Sequence, residues 1–471
     1  MLIEKRIWKI VIYENYAAIA IGEKGRHLAL ARFLSHVYKL RRNLRLHHSS
    51  LLDRQRKSLR AIVRHAYQNV PFYHRKFDKA GIKPDDVKSV ADLAKAPLTS
   101  KFEIQASTLD DVVARNVDVS RCFKRTTSGS TGVPLTIIVD RNTADFEGAV
   151  WVRTLLENEL RLRDKMAVIA DPRSFQQTKK RFHHLGIVRR KYVSIFDDAR
   201  RQLALLEEYK PDVIRGYVSS LAILADICSS RMVALKPRLI FTGAELLDDW
   251  SRKLISSAFE AELLDNYASG EFSLLAWECR EHSGYHINVD SVVMEFVDNG
   301  EAVAPGEHGE IVCTSLTNYA MPLIRYRLDD VGVPAEERCA CGRSLPLMKI
   351  LEGRADDFLI TLDGRIVSPT VFFPYPFEDF EGIRQFRVIQ EKRGKLTIQL
   401  AVKESFFNKK EVLEKARNEI WRLFGEGMQV KFQLSEKIDR DTSGKLRKTV
   451  SYVPMQEFLR KEITELEQYA H

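Results

Sequence analysis

With 471 residues the chain has length for about three domains, and its 45% hydrophobic content is that of a globular protein with a sizeable core. No run of about 18 apolar residues occurs, which argues against a membrane-spanning helix, and six cysteines scattered over this length are expected as reduced thiols rather than a disulfide framework. The net charge of +10 is unevenly placed, because residues 22–76 alone hold fourteen Lys/Arg against two acids, Glu23 and Asp53, a local balance of +12.

Near the N-terminus two apolar stretches, residues 10–12 and 16–21, are interrupted by Glu14 and Asn15. No unbroken apolar core or cleavage site for a secretory signal results, and the protein is expected in the cytoplasm. In the basic segment Leu28, Ala31, Leu34, Val37 and Tyr38 recur at helical spacing, which predicts a helix basic on one side. Such a face is ordinarily solvated. The alternatives are docking on an acidic partner or peripheral contact with anionic membrane headgroups. Nucleic-acid binding has no support, since no zinc finger, recognition-helix signature or aromatic-studded basic strand is visible.

The first 70 residues read as helices ending near Val70-Pro71-Phe72-Tyr73. From residue 122 to about 352, β-rich runs such as Met166-Ala167-Val168-Ile169-Ala170 and Arg238-Leu239-Ile240-Phe241-Thr242-Gly243 alternate with helical stretches. That alternation predicts parallel sheets with crossover helices, ligands binding beyond the strands' carboxyl ends. After residue 352 the pattern changes: 387–390, 396–402 and 429–434 alternate as strands, and 409–424 has helical spacing. The expected class is α/β. Residues 1–76 form a basic helical segment of the large domain, 77–354 its sheets and crossover helices, and 355–471 a small mobile α+β lid.

Residues 126–134 read TTSGSTGVP, following Lys124 and Arg125 and preceding the β-branched run Thr136-Ile137-Ile138-Val139. Glycines let a loop bend and bring backbone N–H groups close to an anion, and hydroxyls add rotatable donors. A polyphosphate cradle between two strands is one reading, and a flexible surface turn is the other. It is not a Walker loop, because no Lys-Ser or Lys-Thr follows the last glycine.

TSGSTGVP resembles the phosphate loop of the adenylate-forming enzymes, the superfamily of acyl-CoA synthetases, adenylation domains and luciferases. Leu135 stands where many members carry a lysine, as in the phenylacetate–CoA ligase-like branch, which includes proteins assigned to capsular polysaccharide biosynthesis. The segments Gln55-Arg56-Lys57-Ser58-Leu59 and Pro97-Leu98-Thr99-Ser100-Lys101 also resemble that branch. The resemblance implies that Thr127, Ser128, Gly129, Ser130, Thr131 and Gly132 hold the β- and γ-phosphates of ATP while a carboxylate attacks the α-phosphate.

Further motifs follow in the superfamily's order. Phe241-Thr242-Gly243-Ala244-Glu245 resembles the turn that packs on adenine, which implies nucleotide contacts at Gly243, Ala244 and Glu245. Asn266-Tyr267-Ala268-Ser269-Gly270-Glu271 resembles the YGxTE motif, placing Tyr267 by the nucleotide and Glu271 on Mg²⁺, with Ala268 and Gly270 departing from the pattern. Tyr326-Arg327-Leu328-Asp329-Asp330 resembles YRTGD, whose aspartate, here Asp330, accepts both ribose hydroxyls; Asp329 occupies the motif's glycine position. Glu352-Gly353-Arg354-Ala355-Asp356-Asp357 resembles the domain-boundary motif, implying a nucleotide contact at Arg354 and a hinge at Asp356. The run Thr442-Ser443-Gly444-Lys445 resembles the closing motif, whose lysine, here Lys445, contacts the attacking carboxylate and the α-phosphate.

The pair Cys339-Ala340-Cys341 with Cys279, seven residues before His286, is a weak metal signal by spacing alone, and lone cysteines are more often buried apolar residues. Some members of this branch hold zinc with a cysteine and a histidine upstream of a CxC pair. That resemblance implies Cys279, His286, Cys339 and Cys341 as Zn²⁺ ligands, with His282 the competing histidine.

The resemblance implies an enzyme that uses ATP and Mg²⁺ to convert a small carboxylic acid to an acyl-adenylate and passes the acyl group to coenzyme A. Two alternatives stand beside it: transfer to an amine, sugar or protein acceptor, and a non-catalytic membrane-docked scaffold. The acid pocket is expected between residues 217 and 267, where no motif identifies the acid.

Overall fold

The computed structural model describes residues 23–127, 135–170, 172, 189–231, 235–245, 247, 249–298, 300–352, 359–367, 383–402, 409–436, 438 and 449–453. Three helices open it: α1 (Glu23–Asn43), α2 (His48–Asn69) and α3 (Pro71–Lys79). In α2 the buried residues Leu51, Gln55, Leu59, Ile62, Val63 and Ala66 follow helical spacing and form one face. Pro71 begins α3 at its first turn, where its missing N–H costs nothing, and Val70 before it is extended at φ −112°.

The basic segment is helical as the spacing predicts, but its buried stripe differs. Phe33, Val37, Leu40 and Leu44 are buried, whereas Ala31 and Tyr38 are exposed, Tyr38 by 68%. This stripe packs α1 along α6 (Arg141–Glu157). Polar contacts run beside it: Arg32 pairs with Asp145, Arg41 Nε donates to Glu157 Oε1 at 2.9 Å, and Asn43 donates to Asp290 at 2.6 Å. Part of the positive charge is therefore neutralised inside the fold.

Two short helices follow, α4 (Lys101–Gln105), opened by a Ser100/Glu103 capping box, and α5 (Leu109–Val112). A hairpin, β1 (Phe123–Thr126) and β2 (Thr136–Val139), then pairs Thr126 with Thr136, so the loop of the TTSGSTGVP motif joins its two strands. Crossovers follow: β3 (Lys165–Ala170), β4 (Arg189–Ser194), α7 (Ala199–Tyr209), β5 (Val213–Arg215), α8 (Val218–Arg231), β6 (Leu239–Gly243), α9 (Asp249–Phe259) and β7 (Glu262–Ser269). Strands β3 to β7 are parallel.

The alternation expected as far as residue 352 ends at β7. Only three residues separate β7 from β8 (Ser273–Glu278), too few for a crossover, and the two pair antiparallel. The sheet continues through β9 (Tyr285–Ile287), β10 (Val292–Asp298), β11 (Glu301–Ala302), β12 (Gly309–Ser315), β13 (Tyr326–Pro334) and β14 (Leu347–Glu352). Its twelve strands run in the order β11-β10-β12-β13-β14-β9-β8-β7-β6-β5-β3-β4.

The C-terminal unit has β15 (Leu359–Ile360), β16 (Ile366–Val367), β17 (Ile383–Lys392), β18 (Lys395–Val402), α10 (Lys409–Phe424), β19 (Gln429–Ser435) and β20 (Thr449–Ser451). Four of these strands form a sheet in the order β19-β18-β17-β20. Phe386, Val388, Leu396, Ile398 and Leu400 of that sheet pack on Ala416, Ile420 and Phe424 of α10, an α+β core of its own.

Candidate active site

The phosphate-loop candidate is described at its stem. Thr127 is buried, its N–H donates to the Leu135 carbonyl at 2.9 Å, and its hydroxyl accepts from Leu135 N at 3.0 Å. Ser128, Gly129, Ser130, Thr131 and Gly132 lie outside the described residues, as do Arg354, Asp356 and Lys445. Beside the stem, Arg125 Nη2 donates to both carboxylate oxygens of Glu147 of α6, each at 2.9 Å. Burial raises the Glu147 carboxyl pKa, and the Arg125 charge only partly offsets that.

The turn from β7 to β8 packs on this stem. A Cβ on Gly270 would stand 3.0 Å from Cγ2 and 3.1 Å from Cα of Thr127. The departure from the family's threonine at this position therefore has a steric reason. The same turn carries Glu271, which is buried and accepts from the Tyr326 hydroxyl at 3.2 Å. On β13, Asp330 is buried and accepts from the Tyr267 hydroxyl at 2.7 Å. Asp329 has φ 61°, so it keeps the left-handed backbone that a glycine adopts freely.

At the carboxyl end of β6, a Cβ on Gly243 would come 2.9 Å from the Asn266 carbonyl oxygen, and Ala244 has φ 69°. The turn that carries Glu245 is thus pressed against β7, with Asn266 Nδ2 donating back to the Thr242 carbonyl at 3.1 Å. Below it, Asp265 accepts from Thr242 at 2.6 Å and Tyr285 at 2.8 Å. Burial raises its pKa against those bonds. Thr127, Glu271, Tyr267 and Asp330 therefore belong to elements in contact, the loop stem, the β7–β8 turn, β7 and β13. Tyr326, whose hydroxyl meets the Glu271 carboxylate, carried no sequence signal beyond its place in the YRTGD-like motif.

A second cluster lies at the other end of β8. Cys279, His286, Cys339 and Cys341 bring one ligand atom each within 4.8 Å of one another. His286 Nε2 is 3.3 Å from Cys279 Sγ and 3.4 Å from Cys341 Sγ, and the Cys279 and Cys339 sulfurs are 3.5 Å apart. A tetrahedron with Zn–S bonds of about 2.3 Å has edges of about 3.8 Å, so the four donors fit a zinc ion. His282 is turned away, pairing through Nε2 with Glu262 at 2.7 Å. Pairing of β9 with β14, which sets His286 opposite Leu347, selects the other histidine.

Burial, aided by Arg343, holds His286 down to about 4, so its imidazole is neutral. Burial pushes the Cys279 thiol up to about 12. Four donors, three of them on buried residues and Cys341 half-buried, converge to form a site that a cation would complete. Around them, the Trp277 ring lies 5.0 Å from the His286 ring, and Trp277 Nε1 donates to Asn288 at 3.1 Å. Arg153 of α6 reaches the same Asn288 and pairs with Asp290 at 2.7 Å.

No described helix is long and apolar enough to cross a membrane. Residues 359–452 match the CapK C-terminal domain family. The phenylacetate–coenzyme A ligase of Pseudomonas putida is 31% identical over 335 residues, covering 68% of this chain and 74% of that protein. Protein CapK of Staphylococcus aureus is 21% identical, covering 94% of this chain and 98% of its own. Among solved structures, 2-hydroxyisobutyryl-CoA ligase with 2-HIB-AMP and CoA superposes with a TM-score of 0.61 at 21% identity, covering 90% of this chain and 94% of that one, a likeness of fold. The chain belongs to the phenylacetate–CoA ligase family of adenylate-forming enzymes.

Proposed function

We propose that this protein activates a carboxylic acid with ATP to an acyl-adenylate, releasing pyrophosphate, and transfers the acyl group to the thiol of coenzyme A. The observation that carries this reading is the grouping of two carboxylates beside the loop stem. Buried Glu271 and Asp330, each fixed by a tyrosine, open beside the stem of a glycine-hydroxyl loop in a chain 31% identical to a phenylacetate–CoA ligase.

In this reading Asp330 accepts the ribose hydroxyls and the turn at Gly243 and Ala244 supports the adenine, with Glu245 beside it. The loop of residues 127–132 holds the departing pyrophosphate. Glu271 would hold Mg²⁺, which neutralises phosphate charge during the transfer. Lys445 would bring an ammonium to the attacking carboxylate and α-phosphate, and Arg354 a second cation to the nucleotide. Both act through a lid, residues 355–471, that turns about Asp356 between adenylation and thioester formation. Cys279, His286, Cys339 and Cys341 would hold a structural Zn²⁺ that pins β8, β9 and the segment before β14 together.

Pyrophosphate exchange over a panel of acids, followed by mass spectrometry of the thioester formed with coenzyme A, tests the reading. Acid-dependent exchange and a thioester are expected, and exchange with no acid of the panel would overturn it. The match of the lid to the CapK C-terminal domain favours one second reading, transfer to an amine, sugar or protein acceptor. Exchange without thioester in that assay would select it.

A cytoplasmic enzyme in peripheral contact with anionic membrane fits the N-terminal surface. Tyr38, Lys39, Arg42 and Arg45 form an exposed stripe on and just beyond α1. Co-sedimentation of the full chain with phosphatidylglycerol vesicles, lost in Lys39→Glu/Arg42→Glu/Arg45→Glu, is the expected result. Equal sedimentation with neutral vesicles would remove the contact.

A further inference from the structure

Arg215 ends β5, and its guanidinium carbon lies 4.3 Å from the centroid of the Trp151 ring on α6. In register, Tyr192 of β4 and Arg215 flank Val168 of β3, and Phe241 of β6 lies beyond Arg215. These four share one sheet face, the one that α6 covers through Trp151 and Leu155. Ile214, on the opposite face, is packed in the core under α7, α8 and α9. Arg215 therefore stands at the carboxyl end of a central parallel strand, where open α/β sheets bind ligands.

Its connection to the chemistry is short. Trp151 Nε1 donates to Ser273 Oγ at 3.1 Å, and Ser273 pairs with Ser269 across the turn that presents Glu271. Two side chains thus separate the guanidinium from the turn that presents Glu271.

The electrostatics are unusual for an arginine so placed. It is exposed, yet protein surrounds it closely enough that burial and the neighbouring Arg190 lower its pKa to about 10, which leaves it charged at neutral pH. The other titratable groups acting on it among the described residues are Tyr217 and Tyr192, and no carboxylate is among them. The guanidinium is therefore open to solvent and to a ligand, with no acid among the described residues to occupy it. Stacking on an indole orients the guanidinium while leaving its in-plane donors available. An oriented guanidinium at the carboxyl end of the sheet, with no acid among the described residues acting on it, matches an anion.

We propose that Arg215 is a specificity-determining residue that receives a second negatively charged group of the acid, so that the preferred substrates are dicarboxylates or acids with an equivalent distal anion. The inference rests on the ligase reading and deepens it by naming the substrate class. The reacting carboxylate points to the nucleotide site, and the distal one forms a bidentate pair with Arg215 against Trp151.

The test pairs pyrophosphate exchange with calorimetric binding, using the full chain. Wild type is expected to exchange with succinate, glutarate or phthalate at least about 10-fold better in kcat/KM than with the chain-matched monocarboxylates. Arg215→Leu is expected to lose about 100-fold on the dicarboxylates, mainly in KM, with KM for ATP and coenzyme A unchanged. Arg215→Lys is expected to recover part of the loss, which a purely structural role would not predict. Wild-type preference for neutral acids, or a loss confined to coenzyme A, overturns the inference. If no acid supports exchange, the ligase reading fails, and calorimetry still decides this one. Dicarboxylate binding to wild type in the presence of AMP, weakened in Arg215→Leu, upholds it, and equal or absent binding overturns it.

Discussion

The hydroxyl of Tyr267 on β7 donates to Oδ2 of Asp330 on β13 at 2.7 Å, although β8, β9 and β14 lie between these strands in the sheet. In a flat sheet, four strand spacings would hold them about 19 Å apart. The sheet must therefore curl between β13 and β7, which brings Asp330 and Tyr267 within reach of each other. Tyr326 repeats the device, with its hydroxyl on Glu271 at 3.2 Å.

From this follows a graded effect on ribose binding. Asp330→Ala removes both acceptor oxygens and is expected to raise the KM for ATP about 100-fold, since charged hydrogen bonds contribute roughly 1.5–3 kcal/mol each. Tyr267→Phe leaves the carboxylate but removes the hydroxyl that donates to its Oδ2, and an increase of about 5-fold is expected. Exchange kinetics at varied ATP would show the order, and an Asp330→Ala enzyme with wild-type KM would remove Asp330 from the nucleotide site.

Glu271 and Lys445 are expected to act on the chemical step. Glu271→Gln keeps the shape and the Tyr326 contact but loses the charge, so kcat for exchange should fall about 10²–10³-fold, with saturation shifted to higher Mg²⁺. Lys445→Ala should abolish adenylate formation while ATP binding, read by calorimetry, is largely kept. Full exchange in Lys445→Ala with the cognate acid would sink that role.

Gly270→Ala tests whether the Glu271 turn and the phosphate loop act as one body. The added methyl meets Thr127 backbone and side chain at 3.0–3.2 Å, so the loop stem must move by a few tenths of an ångström. Small misplacements of this kind are costly in positioned chemistry. A loss of about 10-fold in kcat/KM for ATP is expected with an unchanged melting temperature. Wild-type kinetics would mean that the stem yields without consequence.

Periodicity carried much of the fold in the sequence and little of the electrostatics. The helix expected at 409–424 is α10 at Lys409–Phe424, because its apolar residues face one side of a small sheet. The stripe of α1 was misphased, since Val37 and Tyr38 are adjacent and both apolar enough. Only the surface of α6 decides that Val37 goes in and Tyr38 out. His282 and His286 are equally plausible partners for Cys279 by spacing, and pairing of β9 with β14 decides between them. Arg215 gave no signal, because an arginine closing an apolar strand looks the same whether it meets solvent, an acid or a ligand.

The cysteine–histidine cluster leads to the last expectation. Its four donors come from the end of β8, from β9 and from the loop before β14, so a shared ion would tie down β9, a strand only three residues long. Purified protein is expected to hold one zinc per chain by elemental analysis. Cys339→Ser removes one ligand while Asn288 continues to bind Trp277 and Arg153. It should lower zinc content and the melting temperature together, since binding to the folded state alone stabilises it. The same drop should follow chelation of the wild-type protein and reverse when zinc is returned. Exchange activity should follow the folded fraction rather than the metal, because the cluster lies at the opposite end of β8 from Glu271. A metal-free protein that melts as wild type does would leave these residues a buried thiol cluster, packed for its own sake.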